Sequence, residues 1–155
     1  MTSTSRQPTS VNPDLVGCCY GPFTYEVAAI TVREFAAAVG AQQPEHYDRA
    51  AAQAAGYRDI VATPTFAVVI AQAAEAAYIQ DERAGIDFSR VVHADESFTH
   101  TRPIQAGDTL STTVTVQSIT QRGPICLVTT RADITDSDGP VCQVTSTLAV
   151  RGETA

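Results

Sequence analysis

The sequence contains no lysine and is short of positive charge. Its ten basic residues are all arginine and stand against seventeen acids, which gives a formal net charge of −7. A surface with this excess of negative charge repels a phosphate backbone. We therefore expect no nucleic acid among the partners of this protein.

Long hydrophobic runs are also missing. The longest candidate, from Thr65 to Ile79, is interrupted by Gln72 and Glu75 and falls short of the roughly 20 apolar residues that a membrane helix needs. Residues 1–13 are polar and lack the basic and apolar regions of a secretory signal. These absences predict a soluble protein with no membrane partner. We expect a short disordered leader over residues 1–13 and a tail over residues 152–155.

Paired cysteine motifs are absent as well. None of the four cysteines has C-x-x-C spacing, so neither a zinc site nor a redox motif is predicted. We expect reduced thiols, a cytoplasmic location, and no metal or other cofactor. A hairpin centred on Asp138-Gly139 would leave Cys126 and Cys142 nine residues out of register, about 30 Å apart at the usual rise of a strand. That distance excludes a disulfide between them.

The composition is that of a globular protein. Of the 155 residues, 44 % are hydrophobic and 17 % are charged, which favours one packed domain, placed here over residues 14–151. In the first part of this domain the sequence predicts a strand over Thr24–Ile30. A helix should follow, beginning with a capping box from Thr31 to Glu34 and ending at Gly40.

Two further helices are predicted before a run of strands. The first extends from Asp48, as its N-cap, to Gly56. The second begins at Pro64 and carries apolar side chains on both faces, which is typical of a helix buried in a protein interior. Four strand-like runs separated by turns follow it: Val91–Thr101, Thr109–Gln121, Ile125–Asp136 and Val141–Val150.

This order of elements predicts an α+β fold. We expect a single hot-dog domain, in which an antiparallel sheet wraps around a long buried central helix. The last four strands should form a meander in which each strand pairs with the next. The unpaired backbone groups at an open sheet edge favour pairing with another chain. We therefore also expect a side-by-side dimer that continues the sheet.

Histidine is the residue type best suited to acid–base chemistry near neutral pH, and the sequence has three of them. Only His46 lies in a predicted loop between helices, where functional residues are common. His93 and His100 are seven positions apart in one predicted strand. Their side chains are therefore expected on opposite faces, which excludes a shared metal site.

The loop around His46 resembles a known active-site motif. Residues 40–48 read Gly-Ala-Gln-Gln-Pro-Glu-His-Tyr-Asp, which is similar to the Gly-Asp-x-Asn-Pro-x-His-x-Asp motif of the MaoC-like hydratases and dehydratases. Ala41 stands where that family has its acid or base aspartate, and Gln43 stands where it has asparagine. Because the aspartate and the histidine share the acid–base work in that family, the resemblance implies an incomplete site.

A second departure lies at the start of the central helix. The catalytic family has an Ala-His-Gly-Met-like sequence there, whereas residues 62–66 read Ala-Thr-Pro-Thr-Phe, with Pro64 on the glycine. This version, together with Val16-Gly17 and Tyr25-Glu26-Val27, is similar to the FAS1-like dehydratase branch. That branch includes the non-catalytic-type subunits of heterodimeric (3R)-hydroxyacyl carrier-protein dehydratases. The resemblance implies a substrate-binding chain beside a partner that brings the complete Asp/His pair.

Three functions remain open at this point. The first is the substrate-binding subunit of a (3R)-hydroxyacyl thioester dehydratase or enoyl hydratase, acting on fatty acyl groups carried by CoA or acyl carrier protein. It would work as a heterodimer with a catalytic hot-dog subunit. The second is a self-sufficient homodimeric hydratase in which His46 acts with a water held by Gln42 or Gln43. The third is a non-enzymatic module that binds acyl thioesters.

The resemblance also implies which residues form the site. His46 is the candidate catalytic residue, and the candidate substrate contacts are Gln42, Gln43, Thr63, Thr65 and Phe66. Backbone amides at a helix start can polarise a thioester carbonyl. Because proline has no N–H, Pro64 leaves that role to Thr65 or Phe66.

An acyl carrier protein would need a place to dock. Carrier protein is acidic, so an acidic domain must meet it through a local basic patch. The candidates for such a patch are Arg58, Arg90 and Arg102.

Overall fold

The computed structural model describes residues 10–152 and confirms the α+β hot-dog architecture. Five antiparallel strands form one sheet in the order β1-β3-β4-β5-β2, and the long helix α3 packs against one face of it. Within the described residues no helix is long and apolar enough to cross a bilayer. The elements are β1 (Cys19–Glu26), α1 (Ala29–Ala38), α2 (Arg49–Ala54), α3 (Ala67–Ile79), β2 (Val91–His100), β3 (Thr109–Arg122), β4 (Ile125–Asp136) and β5 (Gly139–Arg151).

The strand order differs from the meander that the sequence predicts. Strands β3, β4 and β5 are consecutive neighbours, but β2 pairs with β5 and not with β3. The connection between β2 and β3 is hydrogen-bonded to Val27, the residue that follows β1. There the Gly107 N–H donates to the Val27 carbonyl at 2.8 Å, and the Val27 N–H donates to the Asp108 carbonyl at 2.9 Å. The connection therefore delivers β3 to β1, and β1 and β2 become the two edges.

The predicted start of the first helix is wrong. Helix α1 begins at Ala29, after an Ala28 N-cap that makes no side-chain hydrogen bond, so Thr31 lies inside the helix. Strand β1 ends at Glu26 and not at Ile30. Val27 is buried and bonded to the connection before β3, so tertiary pairing, which has no local sequence signal, decides where the strand stops.

The β4–β5 hairpin turns one residue earlier than predicted, because Asp136 pairs with Gly139. The Asp136 carboxylate accepts hydrogen bonds from the amides of Asp138 and Gly139 at 2.8 and 3.0 Å. The predicted separation of the two cysteines in this hairpin is confirmed. Cys126 and Cys142 are both buried free thiols with different partners across the sheet.

The helices that flank the candidate site form largely as predicted. Asp48 caps α2, since its carboxylate accepts from the amides of Ala50 and Ala51 at 3.3 and 3.2 Å. Helix α3 follows a 3-10 turn over Pro64–Phe66. One face of α3 is buried, whereas Gln72 and Ala73 on the opposite face are exposed. In the single chain the central helix is therefore covered on one face only.

The predicted leader and tail lie partly outside the described residues. Of the part that the structure describes, Val11 is buried, and the Asn12 N–H donates to the Ala84 carbonyl at 2.9 Å. At the other end the Gly152 N–H donates to the Pro124 carbonyl at 2.8 Å. Residues 1–9 and 153–155 are not described.

Candidate active site

His46 ends a 3-10 turn over Pro44–His46 that lies between α1 and α2. Its Nδ1 lies 2.7 Å from the Val61 carbonyl oxygen, and the Val61 N–H donates to the Glu45 carbonyl at 2.9 Å. A carbonyl oxygen can only accept, so Nδ1 carries a proton, and in the neutral ring Nε2 has the lone pair. The half-buried ring is thus oriented to accept a proton, or to hold a water molecule, through Nε2.

Ala41 supplies only backbone groups to the loop. Its amide donates to the Ala36 carbonyl at 2.9 Å, and its carbonyl accepts from the Tyr47 hydroxyl. The Asp48 carboxylate of the same motif is occupied by the capping of α2. The loop therefore presents His46 without a carboxylate at the aspartate position of the family motif.

The segment around Val61, whose carbonyl group orients His46, is fixed by pairing with the connection between β2 and β3. Val61 forms a β-bridge with Gln105. On either side of it, the Ala62 N–H donates to the Ile104 carbonyl at 2.8 Å, and the Ala106 N–H donates to the Ile60 carbonyl at 3.0 Å. The carbonyl that orients His46 is therefore as rigid as the connection between β2 and β3.

Asp108 anchors that connection. It is buried and accepts hydrogen bonds from Arg58 at 2.8 Å, from Arg102 at 2.8 Å and from the Gln105 amide at 2.9 Å. Burial alone would raise the pKa of Asp108, but these donors outweigh it and hold the pKa below its ordinary value. The carboxylate stays ionised and joins two loops behind the candidate site.

The predicted docking patch is not a patch of free positive charge. Arg58 and Arg102 are both paired with Asp108, and Arg102 also reaches Asp136 at 2.6 Å. Arg90 pairs with Asp87 at 3.3 Å. Each of the three arginines is partly neutralised by an aspartate, so their expected role in attracting an acidic partner finds no support in the geometry.

The start of α3 brings three of the predicted substrate contacts together but gives them different surroundings. Phe66 is fully buried and meets Phe35 edge-on, with 5.5 Å between ring centroids, so its side chain belongs to the core. Its amide already donates to the Thr63 carbonyl at 3.0 Å. This leaves the amide of Thr65, whose side chain is exposed, as the candidate donor to a thioester carbonyl.

Thr63 is the most informative of these residues. It is buried, and among the described residues its Oγ1 has no hydrogen-bond partner. A buried hydroxyl without a partner is unusual, and this one can donate to or accept from a further polar group. Gln42 and Gln43, by contrast, are exposed, and Gln43 contributes its carbonyl, which accepts from the His46 N–H at 3.2 Å.

His100 lies at this site, although the sequence offered no sign of it. Its Nε2–H donates to the Pro64 carbonyl at 2.8 Å, and its ring stacks on Phe98 with 6.2 Å between centroids. The prediction that His93 and His100 face opposite sides is wrong, because a bulge between His93 and Asp95 shifts the alternation. Both histidines face the helix side.

Within residues 10–152 no group of three His, Cys, Asp or Glu side chains could hold a metal ion.

The sequence has clear relatives among known proteins. A family profile described as "FAS1-like, dehydratase domain region" matches residues 14–144. A UPF0336 protein of Saccharopolyspora erythraea is 46 % identical over 144 residues, which is 92 % of each chain. A UPF0336 protein of Leifsonia xyli subsp. xyli is 46 % identical over 145 residues, which is 92 % of this chain and 97 % of that one.

Solved structures agree with the sequence relatives. A chain of the HadBC (3R-hydroxyacyl-ACP dehydratase) complex of Mycobacterium tuberculosis is 29 % identical, with a TM-score of 0.78 over 88 % of this chain and 97 % of that one. A MaoC-like dehydratase is 31 % identical, with a TM-score of 0.80 over 89 % of this chain and 42 % of that one. The helix-on-sheet fold, the loop around His46 and the profile that spans both place this chain in the FAS1-like dehydratase family.

Proposed function

We propose that this chain is the substrate-binding subunit of a (3R)-hydroxyacyl thioester dehydratase or enoyl hydratase. Its substrates would be fatty acyl groups on CoA or acyl carrier protein. The observation that carries the proposal is the loop of residues 40–48, where His46 is oriented through Nδ1 but a methyl group, that of Ala41, occupies the aspartate position. The fold shared with a (3R)-hydroxyacyl-ACP dehydratase complex at 29 % identity supports it.

The chemistry explains why one missing carboxylate matters. Hydration of a trans-2-enoyl thioester adds hydroxide from water to the β-carbon and a proton to the α-carbon. One group must take the proton from water, and a group must deliver a proton to the α-carbon. His46 Nε2 can serve one of these roles near neutral pH, but a methyl group can serve neither. In the proposed complex a carboxylate of the partner chain serves the other role.

The partner is proposed to be a second hot-dog chain that continues the sheet beyond β2. Within the described residues β2 pairs with β5 on one side and is an edge on the other. Unpaired backbone groups at such an edge favour a further strand, and Val92 on this strand is 60 % exposed. The same partner would cover the open face of α3. We place the complex in the cytoplasm, where its four free thiols stay reduced.

The first test is the hydration of a short trans-2-enoyl-CoA by the purified protein alone, followed by the loss of enoyl-thioester absorbance. We expect no turnover above that of the matched variant His46→Ala, together with measurable binding of acyl-CoA by calorimetry. Turnover that the wild type shows and His46→Ala lacks would contradict the proposal. It would establish instead a stand-alone hydratase that works without the aspartate.

The second test concerns the partner. We expect the tagged protein to copurify from its native cells with a hot-dog chain that carries a complete Asp/His pair, and the two together to hydrate the enoyl thioester. Purification as a strict homodimer with no stable partner would count against the heterodimer. Tight acyl-CoA binding with no turnover in any subunit combination would select the non-enzymatic binding module.

A further inference from the structure

The turn before α3 leaves two groups unpaired that could have bonded to each other. Thr63 is the N-cap residue of the 3-10 turn over Pro64–Phe66, and it is 7 % exposed. A threonine at this position usually accepts, through its hydroxyl oxygen, from the amide two or three residues further on. Here the Thr63 side chain makes no capping bond, and within residues 10–152 no carbonyl accepts from the Thr65 N–H.

The missing cap keeps a donor available at the start of the helix. The first N–H groups of a helix point away from its N-terminal end and carry partial positive charge. Thr65 is exposed, so an acceptor from outside the chain can approach it. The turn leaves the Thr63 hydroxyl buried and unpaired, which is unfavourable, and it keeps the Thr65 amide free.

His100 bonds to the other end of the same peptide group. In the planar trans peptide group that joins Pro64 to Thr65, the carbonyl and the N–H point in opposite directions. His100 Nε2–H donates to that carbonyl at 2.8 Å. A bond that fixes the direction of the carbonyl therefore also fixes the direction of the Thr65 N–H. It polarises the peptide group as well, which makes the N–H a stronger donor.

The sheet holds the imidazole of His100 in position. His100 is the last residue of β2 and pairs with Cys142 on β5, and the buried Cys142 Sγ lies 3.9 Å from Nε2. The ring lies nearly parallel to that of Phe98, with 11° between the planes. Phe98 in turn packs against the core that contains α3. The direction of the Thr65 amide is thus set by a strand and not by the turn alone.

His100 and His46 are bonded through different nitrogens. Because a carbonyl only accepts, His100 Nε2 carries a proton in the neutral ring, and it carries one in the charged ring too. The bond to Pro64 therefore exists in both charge states. His46 is bonded through Nδ1, which leaves Nε2 for proton transfer, whereas the nitrogen that His100 directs at the turn is already in use. This geometry suits His100 to positioning.

We propose that His100 is a positioning residue for thioester recognition. Through the Pro64 carbonyl it orients and strengthens the Thr65 N–H, which donates to the carbonyl oxygen of an acyl thioester. His100 acts through the peptide group and does not itself touch the ligand. The proposal rests on the acyl-thioester function proposed above and adds a residue that determines how the thioester group is held.

The test compares two CoA derivatives that differ in one oxygen atom. Octanoyl-CoA is a saturated thioester that cannot be hydrated, and S-octyl-CoA is the thioether that lacks the carbonyl oxygen. Calorimetry measures the binding of both to the full-length protein. We expect His100→Ala to bind octanoyl-CoA about fivefold more weakly than the wild type, the effect of one typical hydrogen bond. Binding of S-octyl-CoA should be unchanged.

A spectroscopic measurement reports on the same bond directly. Octanoyl-CoA labelled with ¹³C at the thioester carbonyl gives an infrared band that moves to lower frequency as the carbonyl accepts a stronger hydrogen bond. We expect this band to lie at higher frequency in the complex with His100→Ala than in the complex with the wild type. A purely structural role of His100 would not move it.

Two matched variants complete the design. His100→Gln keeps an N–H donor of similar reach and should restore both the affinity and the band position. His93→Ala removes a histidine from the same face of β2 that contacts Gln72 and Glu96 and not the turn, so it should behave as the wild type does. Circular dichroism checks that each variant is folded.

The outcomes separate the two proposals. Equal weakening of both ligands by His100→Ala, with no shift of the carbonyl band, would overturn the role of His100 and leave the acyl-thioester function standing. Failure of His100→Gln to restore the affinity and the band would contradict the need for a donor at this position. Failure of both ligands to bind the wild type, alone or with the partner chain, would overturn the function itself and the role of His100 with it.

Discussion

Glu75 is a carboxyl group that the fold buries, since it is 3 % exposed on α3. Burial raises its pKa from 4.5 to about 7, so the folded state holds the proton more tightly than the unfolded state does. Its contribution to stability is then fully present below pH 4.5 and is lost as the pH rises through about 7. From this group alone we expect the free energy of unfolding to fall by about 3 kcal/mol over that range, as measured by urea denaturation.

The matched variant is Glu75→Gln, which keeps the shape of the side chain and has no titrating carboxyl group. The free energy of unfolding of Glu75→Gln minus that of the wild type should increase by about 3 kcal/mol as the pH is raised from 4.5 to 8. All other titrating groups cancel in this difference. A difference between the two proteins that is independent of pH would contradict the shifted pKa.

At the scale of elements, the connection between β2 and β3 depends on one buried carboxylate. Asp108 accepts from two arginines and one amide, so Asp108→Asn would leave Arg58 and Arg102 beside an uncharged group. Asp108 is buried, but the side chains of Arg58 and Arg102 are 64 % and 31 % exposed, so the loss is that of hydrogen bonds to a charged acceptor, about 2 kcal/mol. We expect a loss of that size in the free energy of unfolding, measured by urea denaturation near neutral pH.

The control is Asp138→Asn, at an exposed position in the β4–β5 turn, where a loss within about 0.5 kcal/mol is expected. Asp108→Asn should also weaken the binding of acyl-CoA, because Val61, which orients His46, is bridged to the same connection. Equal losses in the two variants would show that the arginines do not depend on Asp108.

At the scale of the whole molecule, the proposed assembly depends on the edge strand β2. In the proposed complex a second hot-dog chain pairs with the side of β2 that faces away from β5. Along Val91–His100 the amides alternate between those that are bonded to β5 and those that point away from it. We expect the amides that point away from β5 to exchange slowly with deuterium as well. Strand β1 is the internal control, because its outer edge is not part of the proposed interface and its outward amides should exchange fast.

Exchange should be measured on the protein as purified, alongside its native mass. A protected β2 edge in a complex that holds this chain and a different hot-dog chain would agree with the proposed assembly, whereas the mass of two copies of this chain would not. Rapid exchange of the outward β2 amides together with the 16.4 kDa mass of one chain would contradict it.

Strands and helices of this protein could be predicted largely from local pattern. The period-two alternation of β3, β4 and β5 and the apolar run of α3 carry their own signal, because each element buries one face on the core. Asp48 as the cap of α2 is likewise a local interaction between a carboxylate and the next amides. The loop around His46 was found by its motif, which is also local.

The sequence by itself determined the composition of the core, the identities of most elements and the absence of an aspartate at Ala41. Only the tertiary structure decided that β2 pairs with β5, that a bulge turns His93 and His100 to one side, and that Glu75 meets Glu96. The reason is physical. Local patterns report which face of an element avoids water, whereas strand order, bulges and buried carboxyl pairs depend on contacts between residues far apart in the chain.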